Sequence, residues 1–138
     1  MIMKKLFKRL FILIMMVVLS FSLFSCSKYV SSYSAIGLVR MSDSHSCETS
    51  FYSLKGRIVF NIKKSEQGEG DIHYYIEALE GEVYLYYDIY GVKEELAHAK
   101  KGETIEGNGG YVEGGKKVYI IIEVEDNSRG RVSVELDN

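Results

Sequence analysis

No proline and no tryptophan occur among the 138 residues, and there are only two cysteines, Cys26 and Cys47, neither in a CxxC pair. Without proline, sheet edges and turns must be shaped by Gly, Asn and charged residues. Sequence signatures of catalysis are missing as well: no GxSxG and no HExxH occurs, and "EELAH" matches the latter only superficially. The Gly-rich "EGNGGYVEGGKK" (106–117) contains no GK[ST], and no helix follows it to present an N-terminus to an anion. Its glycines are expected to serve turns. No carboxylate lies in an apolar run that would raise its pKa. No enzyme activity, cofactor or metal is expected.

Basic charge is scarce where it would matter. The whole chain has 17 Lys and Arg against 19 Asp and Glu. The first 25 residues hold four of those cations, Lys4, Lys5, Lys8 and Arg9, and no acid, which leaves 13 against 19, a formal −6, for the rest. A chain so acidic offers no basic stripe to displace counterions, which excludes nucleic acid as a partner. It also gives no general attraction to anionic headgroups. At 138 residues the chain has room for one domain.

The N-terminus carries the most specific signal. "MIMKKLFKRL" is a positive n-region, and "LFILIMMVVL" (10–19) is an apolar run of ten. That length suits a signal h-region and falls short of the ~18–20 residues of a spanning helix, so a single-pass anchor is the weaker reading. Leu23-Phe24-Ser25-Cys26 then resembles the bacterial lipobox: an aliphatic residue at −3, a small one at −1, and the cysteine. Phe24 is bulkier than the residues usual at −2. The resemblance implies diacylglyceryl transfer to the Cys26 sulfur, cleavage before it, and an extracytoplasmic protein held on the cell membrane by acyl chains. One acyl chain binds a bilayer marginally and two bind it stably. The competing reading is an ordinary secretory signal, with Cys26 a plain thiol able to pair with Cys47.

The expected organisation is a signal peptide over 1–25, a lipidated cysteine with a polar, Ser-rich tether over 26–34, and one domain over 35–138. In that domain the apolar pattern has period two. "RIVFNIK", "DIHYYIEAL", "EVYLYYDIY", "VYIIIEVE" and "RVSVEL" each alternate, with Gly-containing breaks every eight to twelve residues. This predicts an all-β fold, a single antiparallel β-sandwich or barrel. "LEGE" predicts a hairpin turning at Glu80-Gly81, pairing Ala78 with Val83, Ile76 with Leu85, Tyr74 with Tyr87 and Ile72 with Ile89. A second hairpin is expected to turn at "DNSRG", closed by Gly130 in a left-handed conformation. The segment 92–101 contains good helix formers but no N-cap, and is assigned to a strand or irregular edge.

The strand pair in "GKKVYIIIEVEDNSRGRVSVEL" is similar to the C-terminal end of a class of small, uncharacterised bacterial lipoproteins, and in outline to the jelly-roll modules appended to secreted bacterial hydrolases. That resemblance implies a jelly-roll-like sandwich and no activity.

Two groups of residues are candidates for function. In the expected hairpin the outer face pairs Glu77 with Tyr84, Tyr75 with Tyr86 and His73 with Asp88, and Tyr90 and Tyr119 share that parity. His73, Tyr75, Tyr84, Tyr86, Asp88 and Tyr119 therefore form a candidate surface for an envelope polysaccharide or a protein partner, since each tyrosine ring offers apolar area with a polar tip. Tyrosine is also a strong strand former whose cross-strand pairs need no ligand to explain them. The alternative is "SDSHSC", where Asp43, His45 and Cys47 alternate and would share one face of an extended chain, as a partial metal site or base-activated thiol of a small envelope hydrolase. Its Ser-rich composition reads equally as a hydrated turn. A purely structural envelope component is the third reading.

Overall fold

A computed structural model describes residues 2–22 and 29–137. The lipobox, including Cys26, lies outside the described residues. α1 (Ile2–Ser22) is a helix whose described side chains, residues 2–18, are all exposed. No helix among the described residues is long and apolar enough to cross a membrane.

The remainder is strand: β1 (Ser32–Ile36), β2 (Val39–Ser42), β3 (Ser46–Lys63), β4 (Glu69–Glu80), β5 (Val83–Asp88), β6 (Glu94–Ala99), β7 (Thr104–Glu113) and β8 (Lys117–Leu136). β3 and β8, with 18 and 20 residues, run antiparallel to each other and fold over together. Their register breaks between Phe51 and Gly56, opposite Val124 to Gly130. Beyond the bend, β3 returns so far that the Lys63 N–H donates to the Ser44 carbonyl at 2.7 Å, joining the end of the strand to the turn just before its start.

Each long strand therefore serves two sheets. The first half of β3 (46–52) and the second half of β8 (129–136) continue into β4 and then β7. The second half of β3 (56–63) and the first half of β8 (117–124) continue into β5 and then β6. With the halves counted separately, these are the two four-stranded sheets of a jelly roll, a folded-over antiparallel ribbon. β1 and β2 add to the free edge of β3. The fold is thus the expected all-β sandwich, with β6 a strand inside the segment 92–101.

The pleat decides the core. Ile58, Phe60, Ile62, Val118, Ile120, Ile122, Val83 and Leu85 line the inner face of one sheet. Cys47, Phe51, Ile72, Ile76, Ala78, Val132, Val134 and Leu136 line the other, and all join one cluster. At the bend Gly56 has φ +117, and a side chain there would meet the Ser32 carbonyl and the Tyr33 backbone.

Three expectations are corrected. β4 and β5 form no hairpin: the turn at Glu80–Glu82, with Gly81 at φ +71, carries the chain from one sheet to the other. Ile76 pairs with Val132 and Ile105, Leu85 with Ile122 and Ala97. β8 is one bent strand and not a hairpin, and Gly130 lies opposite Ala78 in the ladder, where a Cβ would strike the Glu77 carbonyl. The tether ends early, since β1 begins at Ser32 and residues 32–34 pair with β3.

Candidate functional site

The sandwich separates the predicted tyrosine surface into two. His73 and Tyr75 on β4 look outward from one sheet, while Tyr84, Tyr86 and Asp88 on β5 and Tyr119 on β8 belong to the outer side of the other. Tyr75 and Tyr86 are thus not partners. Tyr75 is paired with Ser133 and Glu106, and Tyr86 with Ile121 and Glu95.

On the β5 side the aromatic rings are occupied by one another. The Tyr84 ring stacks on His98 with centroids 4.0 Å apart and planes 11° from parallel, and lies 6.3 Å and 7° from Tyr86. The Lys93 ammonium sits 4.4 Å from the Tyr86 ring centroid. A hydrogen bond to Glu82 raises the Tyr84 hydroxyl pKa, and burial does the same for Tyr86. Beside them Glu123 accepts from Arg57 and Lys93. Burial pushes its carboxyl up, and the two cationic donors outweigh that, leaving it below the ordinary range.

The remaining two residues of this group have structural work. Asp88 is only 2% exposed and accepts from the Tyr29 hydroxyl at 2.5 Å and the Gly91 N–H at 2.6 Å. Tyr29 also meets the Tyr119 ring edge-on at 5.3 Å, and two residues later the Ser31 hydroxyl takes the Val59 N–H at 2.8 Å. Residues expected to be a loose tether instead cross this sheet as a strap. Asp88 is hidden beneath it, which corrects its assignment to an open ligand surface.

The other outer face, across β2, β3, β8, β4 and β7, stays open. Cross-strand rows read Met41, Glu48, Ser133, Tyr75, Glu106, and beside it Val39, Ser50, Arg131, Glu77, Thr104. Three depressions lie along it. One of about 360 Å³ near the bend is lined by Tyr52, Leu79, Glu77, Arg129 and Arg131. One of about 290 Å³ is lined by His73, Tyr75, Glu106, Asn108 and Glu135. One of about 440 Å³ is lined by Asp43, Ser46 and Glu48, and shares Ser133 and Glu135 with the second.

Charge is set locally along this face. Arg131 lies over the Tyr75 ring at 5.1 Å and Arg129 over the Tyr52 ring at 4.9 Å. The Tyr75 hydroxyl donates to Glu77 at 3.2 Å. Both ring nitrogens of His73 face oxygen, one from Asp137 and one from Asn108. Only the imidazolium can donate twice, so the Asp137 and Asn108 bonds raise the His73 pKa, and the same contact lowers that of Asp137.

"SDSHSC" is a turn. β3 begins at Ser46, Asp43 accepts the Ser44 N–H at 2.7 Å, and its own N–H bonds the Ser46 carbonyl. Cys47 points into the core, where burial raises its pKa to about 12 despite the opposing charge of Arg40. A thiol held so firmly protonated cannot serve as the hydrolase nucleophile. Among the described residues no group of three His, Cys, Asp or Glu is placed to hold a metal.

Several residues of the open face escaped the sequence reading. Arg129 lies inside the segment taken for a turn and Arg131 directly after it, and Tyr52 lies in a run with no clear alternation. Tyr29 did leave a trace, as an aromatic inside an otherwise Ser-rich stretch.

No protein-family model matches the chain, and neither does any curated protein. Among solved structures, a family 29 carbohydrate-binding module is 8% identical, with 77% of this chain and 75% of that chain aligned at a TM-score of 0.39. The module TmCBM61, solved with β-1,4-galactotriose, is 12% identical over 79% of this chain and 80% of that chain, at 0.40. PirA is 10% identical over 83% of this chain and 99% of that chain, at 0.36. Likenesses of that size carry no argument about what this chain binds.

Proposed function

We propose that the chain is a non-catalytic binding module whose ligand is a hydroxyl-rich molecule, a polysaccharide segment, held on the open face. The observation behind this is the row of three adjoining depressions, lined by carboxylate, hydroxyl, amide and guanidinium groups around Tyr75 and Tyr52. A protein partner would be better served by a contiguous apolar patch with desolvated anchors, and this face is mostly polar. The opposite face serves a sugar less well: Tyr84 has both His98 and Tyr86 stacked near it and Tyr86 has both Tyr84 and Lys93, whereas Tyr75 and Tyr52 each carry a single guanidinium, itself a hydrogen-bond donor for sugar hydroxyls.

The test is binding of an array of neutral, acidic and amino-sugar oligosaccharides, read by heteronuclear NMR. Tyr75→Ala and Arg131→Ala should abolish the shifts caused by a retained oligosaccharide, while Tyr84→Ala and Tyr86→Ala leave them unchanged. The reverse pattern, or no oligosaccharide retained by the wild type, overturns the reading.

In the same proposal the module is held at the outer side of the cell membrane by acyl chains on Cys26. The lipobox resemblance supports this. Cys26→Ala should abolish incorporation of labelled fatty acid and release the protein from membranes. Equal labelling of both forms would refute it.

A further inference from the structure

Tyr29 is fixed to the sandwich by Asp88 and by the Tyr119 ring, and it lies only three residues after Cys26. Three residues span at most about 11 Å. An acylated Cys26 therefore has no tether to speak of, and it must hold the Asp88 end of β5 against the lipid. That end is where the halves of β3 and β8 meet, opposite the bend. It also carries the β5–β6 turn, where Tyr90 is 63% and Val92 65% exposed. The Lys116 ammonium lies 5.8 Å from the Tyr90 ring centroid, and Lys117 pairs with Lys63 across the first rungs of the long ladder. Here an exposed tyrosine and valine stand beside three lysines, with the exposed Glu66 and Glu113 in the adjoining turns.

We infer that this end of the sandwich, through Tyr90, Val92, Lys116, Lys117 and Lys63, rests directly on the phospholipid surface. The inference stands on acylation of Cys26. Tyrosine suits the headgroup level, with its ring toward the acyl chains and its hydroxyl in water. Lysine stems can lie along apolar surface with their ammonium groups at the lipid phosphates. The lipid anchor and the turn then act as two attachments separated by a short distance. The sandwich stands end-on, and its bend, with Tyr52 and Arg129, lies about 25 Å farther out, given ~3.3 Å per residue over eight residues. The depression at Tyr52 and Arg129 thus opens away from the membrane.

Since the chain has no tryptophan, Tyr90→Trp creates a single fluorophore at the turn, and Tyr52→Trp creates one at the bend. Both are exposed positions that leave the core intact. The full-length chain, expressed in cells and recovered from their membranes, is placed in phosphatidylcholine–phosphatidylglycerol vesicles with brominated acyl chains. Tyr90→Trp should show blue-shifted emission and lose intensity to bromine quenching, while Tyr52→Trp shows neither. Equal, weak quenching of the two in acylated, vesicle-bound protein overturns the inference and leaves the anchor standing. Recovery of protein with no acyl mass on Cys26 overturns the anchor, and the inference with it.

Discussion

Replacing Asp88 with alanine separates a ligand-binding role from a structural one. The side chain is 2% exposed and accepts from the Tyr29 hydroxyl and the Gly91 N–H. Hydrogen bonds to a charged group contribute about 1.5–3 kcal/mol each. Tyr29 can swing into water when released, and Gly91 is exposed, so its N–H can take water as well, which puts the pair at the low end of that range. The loss should therefore be about 3–4 kcal/mol, a large share of the ~5–15 kcal/mol that a domain has. Tyr29→Phe removes the bond from its hydroxyl and leaves that from Gly91, and should cost about half as much. Asp88→Asn keeps an acceptor of the same shape and should fall between wild type and alanine. Urea unfolding followed by circular dichroism gives the ordering, and oligosaccharide binding by the Asn variant should equal that of the wild type. A loss within ~0.5 kcal/mol for Asp88→Ala, the scale of an ordinary surface change, would refute the strap.

Other consequences follow from particular contacts. With its pKa near 12 and its side chain in the core, Cys47 should resist alkylation in the folded protein and react fully in denaturant; fast native labelling would contradict the burial. The His73–Asp137 pair should matter in a defined pH window. A raised His73 pKa stabilises fully below its unfolded value of 6.5 and is lost as pH climbs through the folded value. A lowered Asp137 pKa stabilises fully above 3.8 and is lost as pH falls through its folded value. The difference in melting temperature between wild type and His73→Asn should thus be widest between 3.8 and 6.5, and a difference that stays constant into alkaline pH would refute the pairing. Finally, Tyr75→Ser and Tyr86→Ser should add within about 0.3–0.5 kcal/mol in a double-mutant cycle, being on opposite faces, whereas Tyr84 and His98 should couple. Strong Tyr75–Tyr86 coupling would restore the discarded hairpin.

Parity was legible in the sequence and pairing was not. Ile72, Ile76, Ala78, Val83 and Leu85 are all buried as their alternation predicts, because the pleat fixes the face of each residue whatever its neighbour strand is. Which strand lies alongside is a non-local fact. A two-residue turn with a left-handed glycine fits a hairpin, yet at Gly81 it joins two sheets, with the Ser128 side chain packed against the turn. The same degeneracy hid the bend of β8. Val124 and Val132 are eight residues apart, so a continuous strand puts them on one face as surely as a hairpin with an odd loop. The polar run between them suits the outside of a corner as well as a turn. Dividing β4 and β5 between sheets then divided the candidate site, although every residue in it had the expected parity.

The glycine cluster shows how packing on one side of a strand shapes the site on the other. Gly107 and Gly109 lie within β7, not in a turn. A Cβ at Gly107 would come 2.7 Å from the Tyr74 hydroxyl, and one at Gly109 would come 2.7 Å from a Leu96 methyl. Tyr74 and the bulged Leu96 fill that space, closing the side of the sandwich where β6 approaches β7. With neither proline nor tryptophan available, the fold closes this side by removing side chains from β7 instead of adding bulk elsewhere. The alternate positions, Glu106 and Asn108, are thereby left pointing outward beside Tyr75 and His73. The Gly-rich segment expected to serve turns is thus strand as far as Glu113, with Gly114 and Gly115 alone in the turn that follows. Its missing side chains complete the core, and those it retains form one wall of the open face.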